Sequence, residues 1–256
     1  MQPINSTTKM LPSGFTVTLR EQTGEDEDIL SRLGDVESGT SFNNFLSNII
    51  IGSSLEGKTR FTPEDIAQWP TEDKYQAILF SRIFSIGKEL TFNHICENKS
   101  CNKHKTPLEV DLSIYDWDLS TGNPPEDTPF LNHKPRLHPD GTMSSFDHIT
   151  SWGMAIRYGR LTGVSELKAH NKKRADISRN DELRSRNLAY KLPNGEYQLI
   201  TNFRMFNAKQ MKELRHVVLG RDSNQDWSTD CECSKCGKTE QIIILSIPDF
   251  FFPSGI

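Results

Sequence analysis

Apolar positions along the chain follow two rhythms. Phe15, Val17 and Leu19 alternate with polar neighbours as a half-buried strand requires, and Met154, Ile156 and Tyr158 do the same. Tyr75, Ile78, Leu79, Ile83 and Ile86 instead recur at helical spacing and stop at Gly87, predicting a helix over Asp73 to Ile86. Met211, Leu214, Val217 and Val218, ahead of Gly220, predict a second helix of the same kind. Phe42, Phe45, Leu46 and Ile49 are helically spaced too. Leu90 to Ile95, Leu108 to Leu112 and Gln241 to Ile247 read as strands.

These elements recur in order. The first strand runs into Thr23-Gly24-Glu25-Asp26-Glu27, and the strand at Met154 runs into Thr162-Gly163-Val164-Ser165-Glu166, an offset of 139 residues (23 to 162). Leu112 to Trp117 matches Leu245 to Phe250 at an offset of 133 (112 to 245), and Arg82 and Gly87 recur as Arg215 and Gly220. Two copies of one unit are expected: a strand, a TGxxE turn opening a helix, a further helix closed by glycine, and strands flanking a cysteine knuckle. The fold class expected is α+β, with a first lobe over residues 1–120, a linker over 121–145 and a second lobe over 146–256. Between Thr121 and Thr142 the prolines 124, 125, 129, 135 and 139 favour an irregular insert.

Composition narrows the function. The chain has 256 residues, a formal charge of −4 and a pI near 6.0, which disfavours coating of a polyanion. Hydrophobic residues make up 35%, charged residues 25%, and mean hydropathy is −0.57; no apolar run approaches the roughly 18 residues of a membrane span. Met1 to Gly14 has no apolar signal core, so a cytoplasmic protein is expected. The stretch Lys168 to Arg186 is basic and reads as a solvated face.

The five cysteines are clustered rather than scattered. Cys96 and Cys101 form a Cx4C pair; Cys231, Cys233 and Cys236 form CxCxxC, followed by Gly237. A CxxCG turn points two thiolates at one cation, and a tetrahedral structural zinc needs two such pairs. Cys96, Cys101, Cys233 and Cys236 are therefore the proposed ligands of one structural Zn2+ shared by the two lobes. His94, His104 and Cys231, each beside a pair, are the substitutes; Cys231 ranks low because its bite to Cys233 is a single residue.

Gly52-Ser-Ser-Leu-Glu-Gly57-Lys58-Thr59 fits GxxxxGK[ST], the phosphate-binding loop. That motif needs an unbroken helix after the lysine, and Pro63 falls within its first turns. Thr62-Pro63-Glu64-Asp65 reads instead as the capped start of a separate short helix. No GxSxG, HExxH or GxGxxG string occurs, and His94 and Cys96, expected on opposite strand faces, make no nucleophile and base.

The run Phe84-Ser-Ile-Gly87, Glu89-Leu-Thr-Phe92, Cys96, Cys101 and Val110-Asp-Leu112 resembles the baseplate hub assembly chaperone family of T4-type contractile phage tails. So do Cys233-x-x-Cys236-Gly237, the tail Phe250-Phe251-Phe252-Pro253, the Gly14 to Arg20 strand and its TGxxE turn. The resemblance spans most of the chain outside Thr121 to Thr142. It implies a non-enzymatic protein of the infected host's cytoplasm that helps the central hub form, or a structural component staying in the baseplate. Its partners would be other baseplate and hub proteins, with no membrane and no small-molecule substrate. The other classes are a zinc-ribbon nucleic-acid adaptor using Lys168 to Arg186, and an NTPase using Gly52 to Thr59. The aromatic tail either docks on a partner or closes the protein's own core.

Overall fold

In a computed structural model, residues 5–32, 34, 39–116, 145–165, 180–219, 227–246 and 248–252 are described. They form a mixture of helices and four small antiparallel sheets, an α+β arrangement. No helix among them is long and apolar enough to cross a membrane.

The first sheet pairs β1 (Ser6–Met10), β2 (Thr16–Arg20) and β3 (Ile50–Ser53) in that order. Its central strand shows the alternation its sequence carries, with Val17 and Leu19 fully buried. At Thr23 the chain turns into α1 (Gly24–Ser31). Asp26 closes a capping box there and also receives a forked pair of hydrogen bonds from Arg20 at 2.7 and 2.8 Å. Helix α2 (Ser41–Ile49) runs directly into β3. Helix α3 (Pro63–Ala67) is short, capped by Thr62 with proline in its first turn.

Helix α4 (Thr71–Ser85) is the central strut of this half. Ala77, Ile78, Leu79 and Phe80 are buried, and so are polar residues on the same helix. Each of these polar groups ties in a neighbour, as burial demands. Asp73 accepts from the Ser13 backbone and hydroxyl, Gln76 donates to the Tyr115 carbonyl at 2.8 Å, and Ser81 accepts from Gln22 at 2.7 Å. Arg82 reaches past the helix end to the carbonyls of Gly87 and Glu89, tying the helix to the strand that follows. The long ribbon of β4 (Glu89–Ile95) and β5 (Lys105–Asp111) follows.

Beyond residue 144 lies a four-stranded meander: β6 (Phe146–Ile149), β7 (Ala155–Tyr158), β8 (Ala189–Lys191) and β9 (Tyr197–Leu199). A short helix α5 (Asp181–Arg184) and the longer α6 (Ala208–Leu219) pack with it. Ile156, Tyr158, Leu183, Leu188, Leu214 and Val218 are the heart of this second core. The last ribbon is β10 (Ser228–Glu232) with β11 (Thr239–Ile243). The strand expected over Gln241 to Ile247 thus ends at Ile243 and tightens into a 3₁₀ turn, Ile244–Ser246, that buries Ile244.

Packing crosses the boundary that the chain order suggests between a first and a second lobe. Cys231, Ile244, Phe250 and Phe251 belong to the first core, with Phe251 against Phe42 and Phe45. Two of the three tail phenylalanines therefore close the protein's own core; Phe252 is 38% exposed. The two cores also meet at the start of α4. Arg160 pairs with Glu72 at 3.2 Å, the Thr71 amide donates to the Leu161 carbonyl, and the Gly163 amide donates to the Trp69 carbonyl. A Cβ on Gly163 would sit 3.0 Å from the Ala67 carbonyl, so any larger residue would have to push the two segments apart by a few tenths of an ångström. The Thr121 to Thr142 insert, Glu166 of the second TGxxE turn, residues 168–179 of the basic stretch, Gly220, Ile247 and Pro253 lie outside the described residues.

Candidate metal centre

The first knuckle forms where β4 ends. The Cys96 amide donates to the His104 carbonyl at 3.0 Å, and Asn98 caps a 3₁₀ turn, Lys99–Cys101, by accepting from the Ser100 amide. Asn102 and Lys103 then take the left-handed region, φ 51° and 56°, to bring the chain back into β5. The second knuckle is a tight turn beyond β10. The Cys233 amide donates to the Lys238 carbonyl, the Gly237 amide donates to the Cys233 carbonyl at 2.8 Å, and Gly237 supplies φ 69°.

The ribbons carrying these knuckles face each other. As a result the sulfurs of Cys96, Cys101, Cys233 and Cys236 all lie within 4.8 Å of one another. Across the seam Cys96 Sγ is 3.8 Å from Cys236 Sγ, and Cys101 Sγ is 4.0 Å from Cys233 Sγ. These are not disulfide distances, which are about 2.05 Å. Four sulfurs placed tetrahedrally at about 2.3 Å from zinc are about 3.8 Å apart, so this donor set fits a tetrahedral thiolate metal site. Cys96, Cys101 and Cys233 are buried, while Cys236 is exposed.

Crowding sets the proton affinities of this cluster. Cys236 is held down at about 6, chiefly by the backbone N–H of Lys238 and then by the sulfur of Cys101. Cys101 is pushed up to about 12, first by its hydrogen bond with Cys236 and then by burial. One sulfur thus gives up its proton readily while its partner retains one, and a bound cation would displace the remainder. The lysines that flank the pairs, at 99, 103, 105, 235 and 238, are exposed. Lys238 is drawn to Glu240 at 2.5 Å.

The substitute ligands stand outside the cluster. His94 shares the buried face of β4 with Cys96, since residues two apart on a strand point the same way, and not opposite ways as expected. Its Nε2 lies 2.8 Å from Glu240 Oε2 on the facing ribbon. His104 Nε2 lies 2.9 Å from the Ser234 hydroxyl. Cys231 is buried in the first core, and burial pushes its thiol up. The residues sequence reasoning passed over are Ser234, Thr106 and Asn98, whose side chains cross between or brace the knuckles. They are ordinary polar types, and nothing in their spacing distinguishes them.

The Gly52 to Thr59 string does not form a phosphate cradle. Its first two residues belong to β3 and the rest form a turn, no helix starts at Lys58, and Lys58 Nζ is paired with Asp65 at 2.9 Å. The next helix begins at Pro63 on its own Thr62 cap. In comparison with known proteins, no family model, no curated protein and no solved structure matches this chain.

Proposed function

We propose that this protein is a non-enzymatic assembly factor or structural component of a contractile-tail baseplate, acting through protein contacts and held in shape by one structural zinc. The observation that carries the reading is the convergence of four cysteine sulfurs from hairpins more than 130 residues apart. Such a centre has four protein ligands and no open position, which suits a staple rather than a reaction. Cys96, Cys101, Cys233 and Cys236 would hold the ion. The two halves are read as copies of one unit set about it by an approximate twofold, since both run hairpin, TG turn, helix, ribbon and 3₁₀ turn in that order.

The baseplate assignment rests on the sequence resemblance. An apolar cavity of about 450 Å³ between α2, α4 and the last ribbon, with Phe42, Tyr75, Trp227, Ile243 and Leu245 on its walls, supports a role in protein contacts.

Two measurements on protein purified without chelator test the two parts separately. Elemental analysis should find one zinc per chain; two ions or none would refute the shared staple. A tagged copy expressed with its neighbouring genes should retain tail or baseplate subunits at fixed stoichiometry through a high-salt wash. Co-purifying nucleic acid, or magnesium-dependent nucleotide binding abolished by Lys58→Ala, would replace the assembly reading.

A further inference from the structure

The two knuckles touch through polar groups that need no metal. His104 closes the first knuckle with its backbone, accepting from the Cys96 amide and donating to the Cys101 carbonyl, and sends its ring across to Ser234 Oγ at 2.9 Å. Ser234 directly follows Cys233 in the second knuckle. Its amide donates to Thr106 Oγ1 at 3.2 Å, and its hydroxyl lies 3.2 Å from that same oxygen. Thr106 is buried on β5, in register with His94 on β4. Donors and acceptors balance around the ring of contacts. The Ser234 amide donates to Thr106 Oγ1, and each of the two remaining contacts, Thr106 to Ser234 and Ser234 to His104, joins a hydroxyl to a group that can take the complementary role.

We propose that Ser234, clasped by Thr106 and His104, is a positioning residue that holds the two cysteine pairs at ligating distance before any metal arrives. This rests on the metal reading above. Each pair belongs to a separate ribbon, so the spacing across the seam is not set by either knuckle turn. The clasp lies one residue from Cys233 and on the strand that leaves the first knuckle, where a small displacement moves a sulfur directly. Ordering paid for in folding is not charged again when the ion binds, which is why preorganised sites are tighter.

The test is titration of the reduced, metal-free protein with Co2+, read by thiolate-to-cobalt charge transfer and the tetrahedral d–d bands. Ser234→Ala should weaken Co2+ binding by about tenfold or more, the usual effect of losing an outer-shell partner. Ser234→Thr, which restores the hydroxyl, should recover most of the loss. Ser113→Ala is the control: its hydroxyl bonds Asp111 at the far end of the first ribbon, and affinity should match the wild type. Thr106→Val keeps the β-branched shape and carries the test should Ser234→Ala misfold by circular dichroism; the same loss is expected. A wild type with four-thiolate bands and clasp variants of equal affinity would overturn the positioning role alone. A wild type with no such bands would overturn the metal reading and this proposal together.

Discussion

Each of the two cysteine ribbons follows a helix and carries a knuckle, yet they are anchored differently. In the first, Arg82 at the end of α4 is 2% exposed and binds the carbonyls of Gly87 and Glu89, locking helix to ribbon. In the second, Arg215 on α6 reaches Asn180 beside α5 at 3.2 Å. Its ribbon packs elsewhere: Cys231, Ile244 and the following Phe250 and Phe251 fill the first core, while the meander and α6 build a core of their own. Order of elements and choice of tertiary partner are therefore separable. The former follows local pattern; the latter follows which apolar faces remain to be covered.

The most severe way to break this asymmetry is to empty the place the tail fills. Phe250→Ala should cost about 3–5 kcal/mol in denaturant unfolding, and hydrogen exchange should report the loss in α4 and β2 with protection of β7 little changed. Equal loosening of both cores would mean they are one cooperative body.

Removing the metal should come next. Cys236→Ser, or chelation of the wild type, should lower stability by on the order of 4 kcal/mol where free zinc stands a thousandfold above its Kd. Thermal melting with and without chelator measures this, and a variant that melts like metal-loaded wild type would deny the site a structural role.

Asp73 gives a sharper test of how the halves meet. Burial raises its carboxyl from 3.8 to about 6, against the opposing pull of Ser13 and Arg160. The folded state therefore keeps a proton that the unfolded chain loses. This group's contribution to stability is complete below pH 3.8 and is lost as pH rises through about 6. Asp73→Asn should consequently gain on the wild type by on the order of 3 kcal/mol between pH 4 and pH 7, followed by unfolding at both values.

The smallest effect concerns the joint itself. Gly163→Ala places a methyl against the Ala67 carbonyl and should cost about 1–3 kcal/mol. A larger loss of protection at Thr71 than at Leu214 would localise the damage to the contact between cores.

Much of this was legible in the sequence where one local pattern decides the outcome. Helix α4, the ribbon of β4 and β5, the Thr62 cap and each of the two cysteine pairs follow from periodicity or spacing within a few residues. Strand β1, Ser-Thr-Thr-Lys-Met, gave no signal because it is an edge strand with a single apolar residue and so no alternation to read. The short strands β8 and β9 were equally silent. The GxxxxGK[ST] string misled in the opposite direction, since its chemistry lies in a helix start that Pro63 displaces by several residues. The destination of the last ribbon was hidden for a different reason: Ile244 and Phe250 declare themselves apolar without saying which core they enter.

The seating of Phe250 and Phe251 beside Phe42 and Phe45 has a consequence for biosynthesis. Translation delivers α2 some two hundred residues before the rings that cover it, so the half of the molecule made first is the half completed last. Until the ribosome has released the last ribbon, that half must persist as a nascent intermediate with aromatic surface open to water. Contacts this distant in sequence slow folding and prolong such exposure, so the yield of folded protein in the cell should depend on how quickly Ile244 to Phe251 follow the first half.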